Sequence, residues 1–511
     1  MKKRTLTAAL ALLMTLAQQG QTATAAPSDT WQQSRDKALA YLHGDLAKKD
    51  FRYAADWPAL SIYAAGESLV DKKWSTIDGK NGLKWREADV LKGVNITSST
   101  TDFESTLLGV LAAGGNPHSF GRKDLVEAIQ GSQMPSGKFA DTIYGYGDEL
   151  LNAHIYGIIA LYASGHPIPK ANLVREYLLS KQHADGGFHW SNPSKTSDPD
   201  TTAMALIAMK ILHLEDDHPA VQRAFAYLKS VQTDQGGFRS DNSVNSDTTA
   251  TVIEALTEYG IDPTTWQKGT NNPVTDLLSY QQGNGGFAYA KGTSPVTMMS
   301  TQNAVLALSD LLQGTTVYER LSTENAPRAI DWTSPFPDLP INHPRYREAM
   351  QLVNLGVMAG DSSGKFLPDD SLTREQFAKL LVYGLDLKEK VGEKTTKFTD
   401  VGAGSWSNPF IQVAVKEKLI LGTSANTFEP LGNVTGGQLM AILVRGLGME
   451  EAGTPQPGQS NWYDRYVQVA KEQGLWYPNF SPTQLVTRAD VCASFANFYR
   501  AQVKLAAVQQ Q

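Results

Sequence analysis

The chain has 511 residues, 41% of them hydrophobic and 19% charged, with a formal net charge of −6. That length calls for two or more domains, and the acidic balance excludes nucleic acid as the main partner, because neutralising phosphates takes an excess of Lys and Arg. The single cysteine, Cys492, excludes an internal disulfide and a Cys-rich zinc site.

Residues 1–26 read as a secretory signal peptide. Lys2, Lys3 and Arg4 open it, the apolar core LTAALALLMTLA follows, and ATA supplies small residues for cleavage. The core is shorter than the ~20 residues of a bilayer span, and nothing comparable follows. An exported mature chain without a membrane span is expected.

From residue 28 to about 315 the sequence is periodic. QMPSGKF begins at Gln133, QHADGGF at Gln182, QTDQGGF at Gln232 and QQGNGGF at Gln281. Each Gln ends a stretch with apolar residues at helical spacing, such as HPAVQRAFAYLKSVQ. Each turn then leads through a polar loop into a more uniformly apolar stretch, such as DTTAMALIAMKIL. Two-faced helices belong outside and apolar ones inside. RYAADWPALSIYAAG and TDFESTLLGVLAAGG read as earlier inner helices, so about six helix pairs are expected, closing into an α/α toroid in an all-α protein.

These units resemble the prenyltransferase and squalene-cyclase repeat family, most closely at YLLSKQHADGGFHW. The resemblance implies an α/α toroid with a central pocket. It also offers a chemistry, since class II terpene cyclases carry Asp-x-Asp-Asp before Thr-Ala and DPDTTA matches this in part. Asp198 and Asp200 fit, Asp200 falling at the proton donor, whereas Thr201 replaces the last Asp. The competing reading is that Asp200 caps a helix. NSDTTA places Asp247 at the same point one repeat later, and Asn152 falls there one repeat earlier; Asp and Asn before an apolar helix are N-caps, and the helix dipole then lowers the carboxyl pKa. Residues at the starts of inner helices converge on one rim of the ring. The expected pocket residues there are Asp102, Glu104, Asp148, Glu149, His154, Tyr156, Trp190 and Asp247, beside the candidate catalytic pair Asp198 and Asp200. Acids and aromatics around a concave mouth suit a small polar molecule or a glycan. His183 and His189 flank a Gly-Gly turn and read as loop residues; no metal site and no cofactor is expected.

A Pro-rich link, residues 316–335, leads to a second period. FLPDDSLTREQF begins at Phe366, FEPLGNVTGGQL at Phe428 and FSPTQLVTRADV at Phe480. Each is preceded by an amphipathic helix, and an aromatic-x-Asp segment opens each unit, at Asp338, Asp400 and Asp464. Units of helix, loop and helix are expected at 336–387, 398–449 and 461–503. They resemble the S-layer homology domain, which docks bacterial surface proteins on pyruvylated secondary cell-wall polysaccharide. The resemblance assigns polysaccharide binding to Arg374 and Arg488, while Gly436 replaces Arg in the middle copy; Trp406 is a candidate for stacking on a sugar or for core packing.

The sequence thus predicts an exported bacterial protein held on wall polysaccharide by its C-terminal part, with a toroid that binds an unidentified small molecule or glycan. A glycan-acting toroid enzyme, lyase or hydrolase, and a terpene-cyclase-like enzyme using Asp200 remain as alternatives.

Overall fold

The computed structural model describes residues 27–94, 96–240, 243–292, 294–392, 397–453 and 461–509. The expected signal peptide lies outside the described residues. Helices alternate between an outer and an inner layer. In chain order these are α1 (Pro27–Ala47) and α2 (Trp57–Ala64), α3 (Gly82–Lys92) and α4 (Thr100–Ala112), and α5 (Leu125–Gly131) and α6 (Leu151–Ala163). There follow α7 (Ala171–Ser180) and α8 (Pro199–Ile211), α9 (Pro219–Val231) and α10 (Ser246–Glu258), and α11 (Pro273–Leu278) and α12 (Met298–Gln313). Among the described residues the one sheet is a short hairpin pairing Arg239–Ser240 with Ser243–Val244.

The even-numbered helices form the inner ring. Each packs on the next, and α12 returns to α2, closing the circle. Burial separates the layers as their sequences require. Outer α9 buries a single stripe, Ala220, Val221, Ala224, Tyr227 and Leu228, whereas inner α8 buries every residue from Thr201 to Met209.

The recurring Gln is the joint between units. Gln182 Nε2 donates to Gly186 O at 2.9 Å, closing its own turn, and to Ala220 O of the next outer helix at 2.8 Å. Gln232 repeats both bonds, to Gly236 O and Trp266 O. Gln281 donates to Gly285 O and to Ser34 O of α1, both at 2.8 Å. The first helix therefore occupies the outer position that follows α12. The turn glycine is required twice over at Gly186, where φ is +92° and a Cβ would strike the Arg223 carbonyl. The following Phe is buried at all four turns. Its N–H donates to the fourth residue of the next inner helix: His154 Nδ1 from Phe139, and the hydroxyls of Thr202, Thr249 and Thr301 from Phe188, Phe238 and Phe287.

The stretch 316–335, read from its prolines as a link, holds helix α13 (Val317–Arg328). It crosses the end of the ring where the inner helices finish. Arg320 Nη1 donates to Ala64 O, Arg328 Nη2 to Gly114 O and Asn325 Nδ2 to Ala163 O. These carbonyls lie at the ends of α2, α4 and α6, and cations there oppose the negative helix termini.

The C-terminal part has its own apolar core. Its helices are α14 (Tyr346–Asn354), α15 (Arg374–Gly384), α16 (Asn408–Lys416), α17 (Gly436–Gly446), α18 (Asp464–Glu472) and α19 (Arg488–Gln509). The start of each second helix is bonded to the loop of another unit. Arg374 N donates to Gly432 O, Gly436 N to Gln484 O and Arg488 N back to Asp370 O, at 2.8, 2.9 and 2.8 Å. Three units thus close a second, smaller ring. Asp338 and Asp400 hold the Phe-x-Pro loops: Asp338 accepts from Phe366 N and Leu367 N, and Asp400 from Phe428 N and Glu429 N.

The two parts meet through a polar cluster. His118 Nδ1 lies 2.7 Å from Asp124 Oδ2 and His118 Nε2 lies 2.9 Å from His166 Nε2. The Trp332 indole stacks on His166, with ring centroids 5.5 Å apart. Asn354 of α14 exchanges two bonds with the Asp124 backbone, at 3.0 and 2.8 Å.

Candidate functional site

The inner helices begin at the open rim of the toroid, and their caps differ from the expected ones. The N-cap of α8 is Asp198, whose Oδ1 accepts from Thr201 N at 2.7 Å. The corresponding caps are Asn245 on α10 and Thr297 on α12. Asp200 and Asp247 are equivalent residues, but each lies at the second helical position. There each faces the neighbouring inner helix: Asp200 Oδ2 accepts from Thr248 Oγ1 at 3.0 Å, and the Asp247 carboxyl lies near the Ser300 and Asn303 side chains. The expectation that these two acids are caps is corrected accordingly. They couple adjacent helices around the rim, because the second position points sideways once the residue two before it has taken the cap.

The expected depression of the Asp200 carboxyl is also reversed. Burial and the neighbouring Asp198 carboxylate push it up to about 6. Burial outweighs the helix dipole, since the charged form is poorly solvated on the inner wall. The Asp198 carboxyl is raised for the same first cause, against the bonds it receives from Thr201.

Deeper in the wall, both oxygens of Glu104 are buried without a hydrogen-bond partner, and burial drives its carboxyl well above the usual range. Gly157 of α6 faces it; a Cβ there would sit 3.1 Å from Glu104 Oε1. Tyr156 lies in the field of Glu254, Asp200 and Glu104, and its ring meets Trp57 edge-on at 5.2 Å. Burial and Asp310 likewise raise Glu254, and Glu254 in turn acts on buried Tyr318 of α13.

The remaining expected rim residues divide. Asp102 accepts from Thr97 N and Thr97 Oγ1 at 2.9 and 2.5 Å, which fixes the loop before α4. Asp148 and Glu149 are exposed loop residues. Trp190 is exposed and stacks on His189 with centroids 5.6 Å apart. His154 does not belong to a pocket. It is fully buried between the layers, accepting from Phe139 N and bonding to Val174 O at 3.0 Å. Burial pulls its pKa down to about 3, so the ring is neutral and acts as the acceptor that Thr supplies in later repeats. Trp57, Glu254 and Tyr318 were missed; an acid in the apolar middle of TVIEALTE was the available signal for Glu254.

A second site lies in the C-terminal ring, a groove of about 330 Å³ lined by Arg374, Thr423, Gln438, Arg445 and Trp462. Arg374 is nearly buried. Its Nε donates to Phe428 O at 2.7 Å and its Nη2 to Leu421 O at 2.6 Å. Arg488 repeats the pattern on Phe366 O and Ala359 O. Both guanidiniums therefore brace one unit against another. At Gly436 a Cβ would collide with Ser481 O, so the middle copy has no room for Arg. Trp462, 50% exposed, overhangs the groove and was not anticipated. Trp406 is similarly half-exposed and borders Phe410 and the Lys379 ammonium rather than a core.

Comparison with known families and proteins agrees with this architecture. The S-layer homology domain matches residues 335–378 and 397–440, and the prenyltransferase alpha-alpha toroid domain matches residues 103–257. The chain is similar to a surface layer protein of Brevibacillus choshinensis, 30% identical over 170 residues, covering 32% of this chain and 14% of that protein. It is also similar to an endoglucanase of Bacillus sp. (strain KSM-635), 35% identical over 108 residues, covering 20% of this chain and 12% of that protein. The match thus spans about one seventh or less of either relative's length. Among solved structures, a type II terpene cyclase from Scytonema aligns with TM-score 0.39 and 13% identity over 56% of this chain and 99% of that one. By the family models, the chain joins a prenyltransferase alpha-alpha toroid domain to S-layer homology domains.

Proposed function

We infer that this chain, a cell-surface protein built from a toroid and S-layer homology repeats, is held on a bacterial wall by polysaccharide bound in the groove of its C-terminal ring. The observation that carries this reading is the groove itself, where Trp462 stands half-exposed beside Arg445 and Arg374. An indole face accepts a sugar ring, and guanidinium matches a carboxylate. A pyruvylated sugar offers both and is the proposed ligand. The third helical unit, α18 and α19, counts as a further repeat of the same module, since Arg488 braces it onto the first.

The toroid is carried on this anchor, and a ligand at its rim is proposed from the acids and aromatics gathered there. One observation favours a second reading, a glycan-acting enzyme. Asp200 has a carboxyl pKa raised to about 6 and stands among further carboxylates, the setting of a general acid. Against a terpene cyclase, Glu104 and Glu254 add carboxyls to the aromatic wall of Trp57 and Tyr156.

Cosedimentation of the full-length protein with wall sacculi tests the anchor. Trp462→Ala is expected to lower the bound fraction, and sacculi stripped of polysaccharide should retain little of the wild type. Equal retention on stripped and intact walls defeats the reading.

A further inference from the structure

The cleft between the toroid and the first C-terminal unit has a volume of about 610 Å³. One wall is Met358, Ala359 and Gly360, which correspond to Ile420, Leu421 and Gly422 of the groove described above when Phe366 is aligned with Phe428. In the second unit the facing wall is Trp462. In the first unit Trp406 holds the corresponding position, two residues before its helix, and the cleft opens on the other side of Met358–Gly360, where its facing wall comes from the toroid.

The toroid contributes two features. Tyr144 and Tyr146 stack on each other with centroids 5.5 Å apart and planes at 20°. Tyr146 is 49% exposed, while Tyr144 rests edge-on against Tyr499 of α19 at 6.1 Å, which fixes the pair across the domain boundary. Lys92 and Arg122, both exposed, line the same cleft. Lys123 donates to Asn354 O at 2.6 Å and closes one end of it. Among the described residues the one carboxylate in the lining, Asp386, lies 3.8 Å from the Lys388 ammonium. A positive cleft with an exposed aromatic face, on a protein of net charge −6, selects a ligand that is anionic and has flat apolar surface.

We propose that this composite cleft binds an anionic oligosaccharide, with Tyr146 stacking on a sugar ring and Lys92 and Arg122 pairing with its acidic groups. The toroid thereby supplies one wall of the site and the first repeat the other. The proposal leans on the anchoring reading for the identity of the glycan, not for the existence of the site. Single-stranded nucleic acid shares stacking and negative charge, but the overall charge of the protein disfavours it.

Titration calorimetry on the full-length protein carrying Trp462→Ala, which disables the other groove, tests the proposal. The probes are an oligogalacturonate hexamer, cellohexaose as its neutral counterpart and an oligothymidylate of equal length. Oligogalacturonate is expected to bind, with an affinity that falls as salt is raised. Adding Tyr146→Ala should weaken it about tenfold, and so should Lys92→Gln combined with Arg122→Gln, two exposed changes that leave the fold intact. Absence of oligogalacturonate binding, unchanged affinity in both variants, equal affinity for cellohexaose, or tighter binding of the oligonucleotide each overturns it. Wall cosedimentation reduced by Trp462→Ala but not by Tyr146→Ala would keep the anchor and remove the cleft, so the two readings fail separately.

Discussion

The Tyr346 hydroxyl of α14 donates to Asp124 Oδ2 of the toroid over 2.6 Å, and both groups are buried. The same carboxylate caps α5 through Glu127 N at 2.8 Å and meets His118 Nδ1. One side chain thus serves a helix terminus and the junction between two domains.

Tyr346→Phe removes that donor and leaves the buried carboxylate one bond short. A bond to a charged acceptor contributes about 1.5–3 kcal/mol, so the unfolding midpoint of the full-length chain should fall accordingly. Asp124→Ala should cost more, since it also loses the cap. Denaturant titration followed by tryptophan fluorescence checks both; equal midpoints for wild type and Tyr346→Phe would show that the bond does not form.

Acid should loosen the same junction. Burial holds the His166 pKa down to about 4 in the folded protein, against 6.5 for a free histidine. The unfolded chain therefore takes up the proton more readily than the folded one between those values. The stabilising contribution is complete above pH 6.5 and is lost as pH falls toward 4, by about 2 kcal/mol after allowance for partial exposure. His166→Gln should flatten this slope in melting curves collected from pH 7 to 4.

At the toroid rim, Asp198→Ala should lower stability by about 1 kcal/mol through the lost cap, and Asp198→Asn should not. Asp200→Asn should leave stability unchanged or raise it. The Asp200 carboxyl is raised by the fold, so its contribution is present at low pH and lost as pH rises through about 6. Thermal melts at pH 5 and pH 8 separate the two residues: the Asp200→Asn variant should gain relative to wild type, and more at pH 8 than at pH 5.

Arg488→Lys keeps the charge but cannot span Phe366 O and Ala359 O together. It should lower the melting of the C-terminal ring by about 1.5–3 kcal/mol, and Arg374→Lys should act alike. An unchanged melt in both would dissociate the guanidiniums from bracing.

The toroid was legible because each Gln has two backbone partners at fixed places, which forces QxxxGGF to recur at constant spacing. The C-terminal ring was legible for a similar reason, since Asp338 and Asp400 must reach the N–H groups of their Phe-x-Pro loops. Side-chain direction was not legible. DPDTTA offers two acids before one helix, and which becomes the cap depends on where Thr201 N points. His154 was read as a rim residue because its role, accepting from Phe139 N, is taken by Thr in the later repeats. The helix α13 was hidden by Pro327, although a proline near a helix end is compatible with it. The cleft beside Tyr146 has no sequence signature, as its walls come from residues that meet only when the two rings dock.

The bond between Ser34 and Gln281 joins positions 247 residues apart. Because α1 completes the outer layer beside α12, its apolar stripe of Ala38, Leu42 and Leu46 lacks its main helical partner until residues 298–313 exist. A chain that emerges N-terminus first must keep that stripe exposed through most of its synthesis, and every contact of such range is slow to form. The toroid cannot complete its ring one repeat at a time as an open array does. Its closure waits for α12, and a chain cut short before it leaves the first helix without its main helical partner.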